Sequence, residues 1–319
     1  MKHRLLVLAL LSALAISGAA QAACNRNQLA EIPVTMKGGR GLIPVVAVKI
    51  NGSDAQMVFD TGAAGSLLGP DANGKFGLSQ KPGEAYSRSM GRIFKVSTAV
   101  ASEFTFAGTA HQNVEFQIPP DNLGPGVDGA LGQDYMRDFD LEIDLAHGVV
   151  RLFSPRGCES VDLAYWRGQQ PVSVIDLEAE SAGWPRIFAT AKLNGVPLRV
   201  MFDTGTSDTH MTYEAGLRAG VDTANARSGA TSAPGGTGVG GGAPMASWMA
   251  HFARFQIGDE RVSDPWLKVV EKPNATADML IGADFFVAHR VFVSRSQHKL
   301  YFTANPGAAF PRLEPQASR

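Results

Sequence analysis

Cysteine is scarce in this chain: of 319 residues only two are cysteine, Cys24 and Cys158. Two thiols are too few for a four-cysteine metal site, and the seven histidines show no metal-ligand spacing, so no resident metal is expected. Charge is not in excess either. With 29 Lys and Arg against 30 Asp and Glu, the net charge is -1. That excludes the strong basic field that would draw a chain onto nucleic acid or anionic lipid. A long apolar run is also missing. Leu5 to Ile16 is too short for a secure membrane anchor; it follows Lys2, His3 and Arg4 and leads into Ala20-Gln21-Ala22, which is the pattern of a signal peptide. Residues 1–22 are therefore expected to be removed on export to the periplasm or the exterior, with no membrane span left afterwards. Gln21 stands where a lipoprotein signal has an aliphatic residue, which disfavours lipidation of Cys24. In an oxidising compartment Cys24 and Cys158 are expected to form a disulfide; two separate buried thiols are the alternative.

What the chain has in plenty is glycine, 35 residues, mostly in short clusters between apolar runs. Many tight turns joining short strands point to an all-β fold. The sequence also repeats itself. Lys49-Ile50-Asn51-Gly52 returns as Lys192-Leu193-Asn194-Gly195, and Val58-Phe59-Asp60-Thr61-Gly62 as Met201-Phe202-Asp203-Thr204-Gly205, both at an offset of 143. Ala130-Leu131-Gly132 matches Leu280-Ile281-Gly282 at an offset of 150, so the extra residues fall in a mid-unit loop. In each unit an apolar strand, an Asn-Gly hairpin turn and a return strand lead to Asp-Thr-Gly. Short helices are predicted at Asp134 to Phe139 and Asp284 to His289, followed by closing strands at 149–153 and 299–302. The organisation is a segment 23–41, half 1 at 42–153, a connection 154–184, half 2 at 185–303, and a tail 304–319 whose three prolines suggest loose order.

Asp-Thr-Gly after an apolar strand supplies three separable things. The Asp is an acid or base, the Thr hydroxyl can lock the loop, and the Gly lets substrate and partner loop approach closely. One such tripeptide is weak evidence; two in matched contexts are strong. Both halves resemble the retropepsin and pepsin group of aspartic proteases, in the order apolar strand, Asn-Gly hairpin, Asp-Thr-Gly, variable region, apolar-apolar-Gly, short helix and closing strand. The resemblance implies two tandem closed-barrel halves related by a pseudo-twofold axis and an endopeptidase without cofactor. It makes Asp60 and Asp203 the catalytic pair, with Thr61, Gly62, Thr204 and Gly205 supporting their loops. It also implies a flap tip at Gly236, Thr237 and Gly238 in a glycine-rich run, and a contact to substrate backbone from Asp208, whose counterpart Gly65 lacks a carboxylate. The equivalent flap near 87–95 has only Gly91 and matches poorly. Retropepsins carry Arg after apolar-apolar-Gly, but Gln133 and Ala283 stand there, so the halves must interlock differently. The partner is a peptide or protein substrate. Two alternatives stay open: a non-catalytic, peptide- or protein-binding relative, and a homodimer in place of a monomer whose halves pair within one chain.

Overall fold

The computed structural model describes residues 24, 26–83, 85–89, 92–158, 161–179, 185–221, 246–271, 276–307 and 310. Residues 1–22, expected to form a signal peptide, the glycine-rich run with Gly236, Thr237 and Gly238, and Trp184 lie outside the described residues.

The fold is mostly β, and its local units begin where the sequence turns. In half 1 the strand Ile43–Ile50 returns as Ser53–Phe59 through Asn51 and Gly52, with φ of 50° and 78°. Both turn residues therefore occupy the left-handed region that Asn tolerates and Gly adopts freely, which matches the twist of a two-residue hairpin. In half 2 the strands Phe188–Leu193 and Val196–Phe202 are joined by Asn194 and Gly195, at 50° and 85°. Each turn Asn is also tied to the next part of its barrel. Asn51 Oδ1 accepts from Ser102 and Glu103, and Asn194 Oδ1 accepts from the amides of Ala253 and Arg254.

Half 1 closes on itself. Its strands run in the order Ile43–Ile50, Ser53–Phe59, Gly129–Leu131, Leu67–Leu68, Thr109–Ile118 and Ser97–Phe106, and the last pairs back to the first at Lys49↔Thr105 and Ile50↔Phe104, a closed six-stranded barrel. Half 2 follows the same course, but its two long strands are each broken in two: Ser247–His251 with Arg254–Ile257, and Glu260–Ser263 with Trp266–Val270. The break has a local cause. Pro265 has no N–H to give to the ladder, and Asp264 beside it has φ of 52°. The barrel cores are apolar, with Phe59, Phe104 and Phe116 fully buried in half 1 and Phe202, Phe255 and Phe285 in half 2.

Behind the barrels a shared sheet runs Ser173–Asp176, Lys299–Ala304, His289–Ser294, Asp140–Asp144, Val149–Phe153, Gln28–Lys37. The halves meet at its centre, where Leu141, Glu142 and Ile143 pair with Val293, Phe292 and Val291. Strands from the N-terminal segment and from the connection thus belong to this sheet. Glu142, with no exposure, is held by Arg151 at 2.5 Å, by Arg290 at 2.7 Å and by the Tyr165 hydroxyl. The Cys24–Cys158 disulfide is present beside this sheet, packed with Phe153, Leu163, Phe292 and Tyr301. Trp166 joins that cluster and donates to Thr303 Oγ1, Trp248 is buried against Tyr213, and Trp266 packs on His251. In the tail, Phe310 is buried and packs on Phe255 and Phe285.

The helices differ from expectation. After Gly282, half 2 has a helix over Ala283–Ala288 and its chain is already extended at His289, whereas after Gly132 half 1 forms only a 3-10 turn, Gln133–Tyr135. The reason lies in what each segment buries. Ala283, Phe285, Phe286 and Ala288 all sink into the core, while the stretch after Gly132 offers Met136 alone as a fully buried apolar side chain. Without an apolar face to bury, one short turn is not extended by packing.

Candidate active site

Each Asp-Thr-Gly sits where a hairpin's return strand leaves its barrel. Asp60 follows strand Ser53–Phe59, and its amide donates to the Leu131 carbonyl at 3.0 Å; Asp203 follows Val196–Phe202, and its amide donates to Ile281 at 2.9 Å. The apolar-apolar-Gly segments therefore run behind the loops and fix the height of each Asp. Gly132 and Gly282 are needed there because a Cβ would collide with the backbone of Gly65 in one half and of Asp208 in the other.

Between the halves the two loops lock by exchange. The Thr61 hydroxyl donates to the Phe202 carbonyl at 2.9 Å and accepts from the Thr204 amide at 3.0 Å; the Thr204 hydroxyl donates to Phe59 at 2.5 Å and accepts from the Thr61 amide at 3.0 Å. Both threonines have no exposure. A hydroxyl supplies both a donor and an acceptor, so two side chains satisfy four backbone groups that would otherwise be buried unpaired.

This lock brings the carboxyl groups together. Each faces the glycine of the opposite motif: a Cβ built on Gly62 would overlap the Asp203 carboxyl, and one built on Gly205 would overlap that of Asp60. The carboxyls also hydrogen-bond to one another. Burial raises the pKa of both, and for Asp203 the neighbouring Asp60 charge raises it further, well above the usual carboxylate range. The pair is not symmetric. Asp60 Oδ1 accepts from the amides of Gly62 and Ala63, each at 2.9 Å, whereas Asp203 Oδ1 accepts from Gly205 alone, at 2.9 Å. Asp203 is also the more buried, at 9% exposed. More donors and more water favour the anion on Asp60, and the shared proton on Asp203.

The interlock is built from Gln133. Its amide donates to the Thr61 carbonyl at 2.8 Å, and its oxygen accepts from Arg295 of half 2 at 2.7 Å, while the Arg295 amide donates to Asp140 at 2.6 Å. Here one half's Gln and the other half's Arg share the work that the resemblance assigns to an Arg after the glycine. The next residues are used alike in both halves: Asp134 accepts from Ser66, and Asp284 from Thr209, at 2.7 to 2.9 Å. The hydroxyls of Ser66 and Thr209 in turn accept from the amides of Gly132 and Gly282.

Asp208 is ion-paired with Arg40 of the N-terminal segment, which occupies the carboxylate that the resemblance would offer to substrate. His210, 6% exposed, donates from Nδ1 to the Asp208 carbonyl and sits in register with Lys268. The flap expected at Gly236, Thr237 and Gly238 lies outside the described residues. The poorly matching stretch of half 1 is a hairpin, Tyr86–Ser89 paired with Arg92–Lys95, carrying Tyr86 and Ile93 as exposed apolar side chains. Sequence reading missed one residue altogether. Arg186 acts electrostatically on both carboxyls, and a comparison at the repeat offset of 143 would have set it against Ile43.

Two comparisons bear on this arrangement. A search of curated proteins returns no match. Among solved structures, the aspartic proteinase from Irpex lacteus is similar over 88% of this chain and 98% of that one, with a TM-score of 0.50 and 12% identity, a likeness of fold. The aspartyl protease family model matches residues 46–135 and 189–285, one segment in each half and each containing one Asp-Thr-Gly. Two matched segments whose loops interlock in a single chain leave one assignment: the protein belongs to the aspartyl protease family.

Proposed function

We propose that the chain is an aspartic endopeptidase with one active site, formed by Asp60 and Asp203 of the same polypeptide. The observation that carries this reading is the threonine exchange, because it seats both carboxyls face to face without help from a second chain. Thr61, Gly62, Thr204 and Gly205 are then the supports that hold the dyad's geometry. The substrate is an extended peptide or protein segment, and the enzyme works as an exported monomer in the periplasm or outside the cell, a setting with which the disulfide is consistent.

In this reading a water lies between the carboxyls. The ionised member, Asp60 by its greater number of donors, takes a proton from that water as it attacks the scissile carbonyl carbon. Asp203 gives its proton to the carbonyl oxygen as negative charge develops there. The tetrahedral diol then collapses: one diol hydroxyl returns its proton to Asp203, the C–N bond breaks as the nitrogen receives the proton held by Asp60, and a carboxylic acid and an amine leave with the dyad restored. No metal and no covalent intermediate are needed. The hairpin of 86–89 and 92–95 is the flap candidate among the described residues.

The test is cleavage of an unfolded protein by the mature chain and by Asp60→Asn and Asp203→Asn, which keep side-chain shape and remove the carboxylate. Each variant is expected to lose several orders of magnitude in turnover while keeping its fold. Substantial activity in either would overturn the reading.

A further inference from the structure

Arg186 occupies a defined place beside the dyad. Strand Phe188–Leu193 pairs with Val196–Phe202 through Phe188↔Met201, and the Phe202 amide donates to the Ile187 carbonyl at 2.9 Å, so the next step of the ladder sets Arg186 opposite Asp203. Directly opposed residues of an antiparallel pair project to the same face. Half 1 reproduces the register: Val45 pairs with Val58, and two steps on Ile43 stands opposite Asp60. One carboxylate thus has a cation across the ladder and the other an isoleucine. Arg186 is partly buried, in a setting where its charge is less screened than at a surface.

We propose that Arg186 is a positioning residue of the dyad, whose charge, held across from Asp203, sets how far into acid the singly protonated pair persists. The inference rests on the aspartic peptidase reading above and concerns the pH window of that same site. The charged groups nearest the pair divide clearly. Asp60, Asp203 and Arg186 act on one another; Asp134 and Asp284 lie behind the loops, bonded to Ser66 and Thr209; Asp208, Arg40, Lys268 and His210 form a group of their own beyond the second loop. Burial raises both dyad carboxyls, and Arg186 opposes that rise in each. A cation favours every added negative charge, so it eases both ionisations of the pair, the first as well as the second. The bell-shaped activity profile is accordingly displaced toward acid as a whole.

The experiment compares pH profiles of kcat/KM for the mature wild-type chain, Arg186→Met and Arg186→Lys on the same unfolded protein substrate. Removing the charge is expected to move both limbs to higher pH by about one unit or more, since a single charge within roughly 12 Å is worth at least that at an effective dielectric near 20. Arg186→Lys, which keeps the charge, is expected to restore the wild-type limbs. Limbs of Arg186→Met that superimpose on the wild type, even with a lowered maximum, would assign Arg186 a merely structural role and overturn the proposal. A second readout does not need turnover: carboxyl titration of the whole chain followed by carbon NMR with labelled aspartate, the dyad signals assigned by their loss in Asp60→Asn and Asp203→Asn. If the wild-type chain cuts nothing, the peptidase reading falls, and the titration alone decides whether Arg186 lowers the pair. Should Arg186→Met fail to fold, Arg186→Gln carries both measurements.

Discussion

A methyl group is enough to test how closely the two Asp-Thr-Gly loops meet. Gly62→Ala and Gly205→Ala each place a carbon where the opposite carboxyl now sits, so the dyad must open. Displacement of reacting groups by an ångström costs about a hundredfold, and a drop of that size or more in kcat/KM is expected for each variant, with a native circular dichroism spectrum. Gly65→Ala is the control, because its nearest neighbour would be Asp134 at an ordinary 3.9 Å; its melting temperature is expected to match the wild type. The threonines carry stability as well as geometry. Thr61→Val strands the Thr204 amide and the Phe202 carbonyl in a buried place, a loss of about 2 to 5 kcal/mol by urea unfolding. At this scale the sequence was most legible in the tripeptides, whose residue types state their own chemistry. Arg186 was not legible, because its meaning comes from the register of a strand pair rather than from its neighbours along the chain.

Among the elements, the Asn-Gly turns could be read directly, since left-handed backbone is a local property. Asn194 does more than turn: its side chain also donates to Ala219 and accepts two amides of the adjacent strand. Asn194→Ala is expected to lose about 2 to 3 kcal/mol, and Asn194→Gly less, since glycine keeps the backbone angle and loses only the side-chain bonds. Urea midpoints of the two variants separate these contributions. Two features of the elements were hidden in the sequence. The helix after Gly132 shrinks to a single turn for want of an apolar face, and the union of Asp140–Asp144 with His289–Ser294 joins residues some 150 positions apart that share no local signal. Gln133 was recognised as a departure, but its partner Arg295 lies in the other half and no spacing announces it. A double-mutant cycle of Gln133→Ala and Arg295→Ala is expected to show a coupling of roughly 1 to 2 kcal/mol; additive losses would mean the two act separately.

For the molecule as a whole, the continuous sheet between halves ties one barrel to the other, and pairing within one chain makes a testable distinction. Mixing Asp60→Asn with Asp203→Asn, after unfolding and refolding together, is expected to give no activity, because each chain completes its own site. Recovery would mean that halves exchange between chains. The all-β class and the two-half plan were legible because the repeat is carried by motifs; the shared sheet was not, because strand pairing across halves leaves no periodicity. The Cys24–Cys158 bond was inferred from compartment and number rather than from geometry. Its reduction is expected to lower stability by about 3 to 5 kcal/mol, measured as a fall in the urea midpoint with dithiothreitol.

That bond spans 134 residues and so encloses the whole of the first barrel in a covalent ring, while the second barrel hangs from it as an open chain. A ring survives a single cut in one piece. A nick made by any protease in a loop between Cys24 and Cys158 leaves every fragment attached, whereas a nick in the second half releases its end.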